Sequence, residues 1–157
     1  MNWQIILRLV VLLLASLATG ALMVLWVGLA RAMARMSSSS AYTEFHQATN
    51  HTFEPYMPIV LTGAMLGGVV LAAISPGMHS AAGALPVAGA ICYAAVIAIT
   101  LPTNLRINNL IARWSIEAPP ENWTAVRARW IRFHILRTLI SVPALASYVL
   151  SVLLSKG

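Results

Sequence analysis

The feature that most constrains this chain is its longest uncharged stretch, Pro55 to Leu105, which contains no Asp, Glu, Lys or Arg. In a soluble domain these four residue types make up about 25% of the sequence. In the whole chain of 157 residues they make up only 9%, whereas 59% are hydrophobic. Polar groups therefore cannot cover the surface of the folded chain, and the sequence predicts a protein whose solvent is lipid.

The uncharged segments define the expected membrane spans. A bilayer core of about 30 Å needs roughly 20 apolar residues in a helix. The long run is sufficient for two helices and divides at the turn sequence Ser75-Pro76-Gly77. Leu9–Ala30 precedes it and Thr138–Ser155 follows it. We predict an all-α, integral membrane four-helix bundle, a single domain over residues 1–157 with spans at about 9–30, 55–75, 81–103 and 133–155.

Two of these helices are expected to extend beyond the membrane on the cytoplasmic side. The second should begin near Ala41, after the run of serines at 37–40, and continue into its span. The fourth should begin near Trp123, because Pro119-Pro120-Glu121-Asn122 is a good helix start signal.

The basic residues indicate how the bundle is oriented. Arg31 and Arg35 follow the first span, and five more arginines lie between the third and fourth spans: Arg106, Arg113, Arg127, Arg129 and Arg132. By the positive-inside rule both of these connections are cytoplasmic, so both termini of this multi-pass cell-membrane protein are predicted on the non-cytoplasmic side. The basic residues that give the chain its net charge of +6 flank apolar segments. This position favours contact with lipid headgroups and argues against binding of nucleic acid.

Ionisable and amide side chains are costly inside a membrane, so their positions carry functional information. In the first cluster, His46, Asn50 and Glu54 follow one another at intervals of four and share a helix face, and His51 lies three residues before Glu54. In the second cluster, Asn104 and Asn108 share a face. These groups are interpreted as a ligand or metal site, with a solvated or capped helix end as the alternative.

The third cluster is a single helical stripe that enters the membrane. Its members recur at spacings of 4, 3, 4, 3 and 4, namely Trp123, Arg127, Trp130, His134, Arg137 and Ser141. An arginine at the depth of Arg137 either pairs with Glu54, binds an anionic substrate oxygen, or extends to the headgroups. The first two interpretations predict a polar site inside the bundle.

Three segments of the sequence resemble the anthrone oxygenase-like membrane protein family. They are Phe45-His-Gln-Ala-Thr-Asn-His-Thr-Phe-Glu-Pro55, the stretch Thr100-Leu-Pro-Thr-Asn-Leu-Arg-Ile-Asn-Asn109, and the pattern Trp123-x6-Trp130-x3-His134-x2-Arg137-Thr138. The resemblance implies a four-helix membrane protein. It also implies oxidation of anthrones, which are tricyclic phenols, to anthraquinones with molecular oxygen and without an organic cofactor.

The expected function is therefore that of an oxygenase or oxidase acting on a lipophilic, anthrone- or phenol-like aromatic. Such a reaction needs a base to remove a carbon-bound proton and donors for the developing oxyanion. The candidate bases are His134 and His51. The candidate oxyanion partners are Arg137, Asn104 and Asn108, and the candidate substrate contacts are Trp130, Asn50 and Trp123.

Three alternatives remain open at this point. A copper or iron ion would find nitrogen and oxygen donors in His46, His51, Glu54 and His134. A haem or quinone module would use His51 and His134. A non-enzymatic protein would bind a small molecule or lipid, or take part in a larger complex. The sequence is compatible with a homo-oligomer and does not define the number of subunits.

Overall fold

The computed structural model describes residues 3–75 and 80–155, and in this part of the chain there is no β-strand. The first span is built from three consecutive pieces, α1 (Trp3–Val24), a π-helical segment (Leu25–Ala30) and α2 (Arg31–Arg35). The remaining helices are α3 (Ser39–Phe53), α4 (Tyr56–Ile74), α5 (Ala81–Thr100), α6 (Asn104–Ile111) and α7 (Trp123–Leu154).

Four helical stretches of the described chain are long and apolar enough to cross a membrane. They cover Trp3–Arg35, Tyr56–Ile74, Gly83–Ile111 and Trp123–Leu154. Around the bundle α1 packs beside α4, α4 beside α5, α5 beside α7, and α7 returns to α1. The prediction of an all-α, four-helix membrane bundle is confirmed.

Large apolar side chains cover the outside of this bundle, as a lipid environment requires. Leu9, Leu13, Ile59, Ile91 and Leu153 are each between 59% and 68% exposed. Because lipid is as apolar as these side chains, helix association depends on close packing and on interhelical hydrogen bonds.

Buried tyrosines make several of these interhelical hydrogen bonds. The Tyr148 hydroxyl donates to the carbonyl oxygen of Ala64 at 2.8 Å, which joins α7 to α4. The Tyr93 hydroxyl lies 2.9 Å from the Thr19 hydroxyl and 3.0 Å from the carbonyl oxygen of Ala15. This pair of contacts joins α5 to α1.

Two prolines separate the membrane helices from short polar helices at one end of the bundle. The sequence predicted one helix from about Ala41 into the membrane, but the helix begins at Ser39 and α3 ends at Phe53, with α4 starting after Pro55. Proline lacks the N–H that a continuous helix would use. Pro102 lies in the corresponding break between α5 and α6.

These breaks bring α3 and α6 into contact with each other beside the first turns of α7. We call this end of the bundle the polar end. At the opposite end, the predicted turn at Ser75-Pro76-Gly77 includes only one described residue, Ser75, and His79 also lies outside the described residues.

Candidate functional site

A cavity of about 240 Å³ opens at the polar end of the bundle. The π-helical segment, the α3–α4 junction, the break between α5 and α6, and α7 contribute to its wall. Most of the lining is apolar, and the polar or charged side chains that reach it are His46, Thr49, Asn50, Glu54, Thr62, Thr100, Asn108 and Arg137. Such a mixture of an apolar wall and a few converging polar groups is typical of small-molecule sites.

Arg137 is the cation of this cavity. Its side chain is only 7% exposed. Nε and Nη2 of the guanidinium donate to Nδ1 of His134 at 3.2 and 2.9 Å, and Nη1 donates to the Thr100 hydroxyl at 3.3 Å. Of the five N–H donors of this guanidinium, two have no partner in the described part of the chain and remain for a ligand. Within residues 3–75 and 80–155 no carboxylate forms an ion pair with Arg137.

His134 holds this guanidinium in place. An arginine can only donate, so Nδ1 of His134 must be the unprotonated nitrogen. The proton therefore lies on Nε2, which donates to the carbonyl oxygen of Leu22 at 3.1 Å. The ring is fully buried and stacks on Trp130 with ring centres 5.0 Å apart and planes 2° apart. Both nitrogens of His134 are thus occupied, and one backbone carbonyl fixes the tautomer.

A second network surrounds His46 on α3 and is organised by Asn108 of α6. The amide oxygen of Asn108 accepts the indole N–H of Trp130 at 2.7 Å and lies 3.2 Å from Nε2 of His46. Because an amide oxygen cannot donate, Nε2 of His46 carries the proton. Nδ1 then accepts from the Tyr42 hydroxyl at 3.3 Å, and the amide nitrogen of Asn108 donates to the Asn50 oxygen.

Burial controls the charge of this second network. It lowers the pKa of His46 to about 4, against a smaller opposite effect of the hydrogen bond to Asn108. Burial also raises the pKa of the Tyr42 hydroxyl, with the Arg127 cation acting in the opposite direction. Both side chains are therefore neutral at pH 7, and the network positions groups without adding charge to the cavity.

A comparison with protein families decides the relationship of this chain. The model of the anthrone oxygenase family matches residues 45–147, about two thirds of the sequence. The chain belongs to the anthrone oxygenase family. No curated protein matches it, and no solved structure matches it.

The family match extends from α3 to the middle of α7 and includes the α3–α4 junction and the α5–α6 break, which both contribute to the cavity wall. His46, Asn50, Asn108, Trp130 and Arg137, which all line the cavity, lie inside the matched range. Leu22 and Leu25 of the first span lie before it. The first span still contributes to the site, because Leu25 lines the cavity and the Leu22 carbonyl binds His134.

Several of the predicted site residues stand behind the cavity wall or away from it. Asn104 is fully buried and donates to the carbonyl oxygen of Trp130 at 3.0 Å, whereas its own amide oxygen has no partner among the described residues. Trp123 packs on Tyr42 with ring centres 5.5 Å apart, and Arg127 lies over its ring at 4.6 Å. Neither Asn104 nor Trp123 lines the cavity, so their observed contacts hold the polar end together.

The predicted metal ligands are not assembled by the described part of the chain. In that part there is no group of three His, Cys, Asp or Glu side chains that could hold a metal ion. Both ring nitrogens of His46 and of His134 are engaged by protein groups, and His51 is exposed and does not line the cavity. The donor set His46, His51, Glu54 and His134 therefore does not fit a metal ion in this conformation. The occupied nitrogens of His134 likewise do not fit haem ligation by His51 and His134.

Two partners of these residues were missed by reasoning from the sequence. Thr100 accepts from Arg137, and Tyr42 donates to His46. Both follow the spacing rule already used, since Thr100 lies four residues before Asn104 and Tyr42 lies four before His46. The role of the Leu22 backbone carbonyl could not be predicted from the sequence, because every residue has a backbone carbonyl.

Proposed function

We propose that this protein is a membrane-embedded oxygenase that oxidises a lipophilic, anthrone- or phenol-like aromatic with molecular oxygen. Membership of the anthrone oxygenase family supports the reaction class. Four helices capable of crossing a membrane support a lipophilic substrate, because such a molecule concentrates in the bilayer. The observation that carries the proposal is Arg137, a buried cation beside an apolar cavity.

A buried charge is costly unless it is paired. The two unused N–H donors of Arg137 are suited to the oxygen of an anthrone or phenol, which becomes negative when the substrate loses a proton. Such an interaction is stronger with the anion than with the neutral substrate and so favours the reaction. In this proposal His134 is a positioning residue, because it holds the guanidinium without touching the substrate.

The proton acceptor in this proposal is Glu54. Its carboxylate is the only acidic side chain among the described residues that line the cavity. The sequence favoured His134 or His51 as the base, but the basic nitrogen of His134 accepts from Arg137 and His51 does not line the cavity. A general base must reach the proton that it removes, so Glu54 is the better candidate.

The atoms of the proposed reaction balance without another reductant. A proton moves from the substrate CH₂ group to Glu54, and the electron pair delocalises onto the carbonyl oxygen of the substrate, beside Arg137. Oxygen then adds to the carbon to give a peroxide anion, which takes the proton back from Glu54. The resulting hydroperoxide loses water to leave a ketone. The CH₂ group supplies four electrons to O₂, one oxygen atom enters the product, and the other becomes water.

The test is oxidation of anthrone by the purified protein in lipid nanodiscs. The reaction is monitored through oxygen uptake and through the absorbance of the product. Arg137→Gln should lower kcat/KM by about 10²–10³, the usual effect of losing an oxyanion donor. Arg137→Lys, which keeps a positive charge, should retain more activity. The matched control is Arg132→Gln on the same helix, since Arg132 is exposed and does not line the cavity. Undiminished oxidation by folded Arg137→Gln would refute the role of Arg137.

Glu54→Gln separates the enzyme from the alternative of a non-enzymatic binder. The occupied nitrogens of both buried histidines favour that alternative, because they leave one candidate base in the cavity. The enzyme hypothesis predicts that Glu54→Gln binds anthrone with nearly unchanged affinity and oxidises it far more slowly. Wild-type protein that binds anthrone without oxygen uptake would favour the binder.

A further inference from the structure

A second depression lies on the outside of the bundle, where the first span faces lipid. It is a groove of about 540 Å³ between the middle of α1 and the α3–α4 junction. Leu17, Gly20 and Val24 form one side, and Phe53 and Tyr56 form the other. Leu17 and Val24 are 43% and 60% exposed, so the groove is open to its surroundings.

Phe53 belongs both to this groove and to the cavity that contains Arg137. It is the last residue of α3 and directly precedes the turn at Glu54-Pro55. Phe53 therefore borders both the lipid-facing groove and the polar cavity.

We propose that this groove is the route by which an apolar aromatic substrate passes from the bilayer to the cavity, with Phe53 as the movable partition. The identity of the passing molecule rests on the function proposed above. A substrate dissolved in lipid reaches this face of the bundle without entering water. From the groove it passes Phe53, which lines both spaces, into the cavity that Glu54 also lines.

Gly20 keeps the groove open. A Cβ atom added at this position would find no atom within 4 Å, so a larger side chain fits without disturbing the helix. Leucine at position 20 would project into the groove and obstruct it. Gly28 of the same span is the matched control, because it has equally open space and does not line the groove.

The experiment measures the rate at which anthrone binds to the reconstituted full chain after it has been loaded into lipid vesicles. Binding is monitored through the quenching of tryptophan fluorescence. Gly20→Leu should slow association and dissociation alike, by about tenfold, and leave the equilibrium Kd unchanged, because an obstructed route changes rates and not the bound state. Phe53→Ala should accelerate both rates, and Gly28→Leu should behave as the wild type.

The outcomes distinguish this inference from the proposed function. Wild-type association rates in Gly20→Leu, or equal slowing in Gly28→Leu, would overturn the route while leaving the oxygenase intact. Binding of anthrone at the expected rates without any oxygen uptake would overturn the oxygenase and leave the route as that of a bound ligand. A changed Kd in Gly20→Leu would place the groove in the binding site and overturn its role as a passage.

Discussion

At the scale of single residues, the site depends on two buried histidines that are both held neutral. His46 donates to Asn108 and accepts from Tyr42, and protonation of the second nitrogen would put two donors face to face. The low pKa of His46, about 4, has the same consequence, because burial opposes the charge. Folding is therefore linked to the neutral form of this ring.

This linkage predicts a loss of stability in acid. The pKa of His46 is about 4 in the folded protein and has an ordinary value of 6.5. Between these values the unfolded chain binds a proton that the folded protein does not, so the free energy of unfolding falls as the pH falls. The stability that the neutral His46 ring contributes to the free energy of unfolding is fully present above pH 6.5 and is lost by pH 4. Its upper limit is about 3 kcal/mol.

Unfolding in detergent micelles at several pH values measures this effect. In His46→Gln, the amide nitrogen of glutamine can still donate to Asn108 but does not titrate, so the pH dependence should become weaker. His51→Gln is the control, since His51 is exposed. An identical pH dependence in wild type and His46→Gln would contradict the prediction.

Sequence spacing predicted which residues turn inward but not which residues they meet. The helical stripe placed Trp130, His134 and Arg137 on one face, and all three are buried. The pairing of Arg137 with Glu54 is not formed in the described chain, although both line one cavity. Spacing defines a face of one helix, whereas a partner on another helix depends on the depth and rotation of both.

At the scale of helices, small residues determine how closely the spans approach. A Cβ at Gly67 would lie 2.5 Å from Cγ2 of Val11, and a Cβ at Gly68 would lie 2.0 Å from the hydroxyl oxygen of Tyr148. Gly63 and Gly67 have the spacing of small residues that allows close helix packing in membranes, and these distances show such packing between α4 and α1. Gly68 extends the same packing to α7.

Replacing Gly68 by alanine should destabilise the bundle. The new methyl group would overlap the Tyr148 hydroxyl, which donates to Ala64, and such overpacking costs about 1–3 kcal/mol. Gly20→Ala is the matched control, since its methyl group meets no atom within 4 Å and alanine is the better helix former. Equal unfolding free energies in the two variants would show that Tyr148 moves aside without cost.

The helices themselves were predictable because their signals are local. Uncharged length marks the spans, and Pro55 and Pro102 stand at two observed breaks. The prediction that the second helix continues across Pro55 was wrong, because proline lacks the backbone N–H that a continuous helix would use. The π-helical segment at Leu25–Ala30 was not predicted, because its sequence is as apolar as the α-helix before it.

At the scale of the whole molecule, most of the positive charge lies at the end that carries the cavity. Arg31, Arg35, Arg106, Arg113 and Arg132 are all exposed near this end. Exposed arginines next to membrane spans are retained on the cytoplasmic side and contact anionic headgroups there. We therefore propose that the cavity opens toward the cytoplasmic leaflet and that both termini lie outside.

Single cysteines test this orientation, because the chain contains only Cys92 and Cys92→Ser provides a background without cysteine. Ser155→Cys lies just after α7, and Ser115→Cys lies in the exposed connection between α6 and α7. A thiol reagent that cannot cross membranes should label position 155 in intact cells, because the positive-inside rule places it outside. Position 115 should react only after the membrane is permeabilised. The reverse labelling pattern would show that the bundle has the opposite orientation. The cavity would then open toward the outer leaflet, where the arginines would meet fewer anionic lipids.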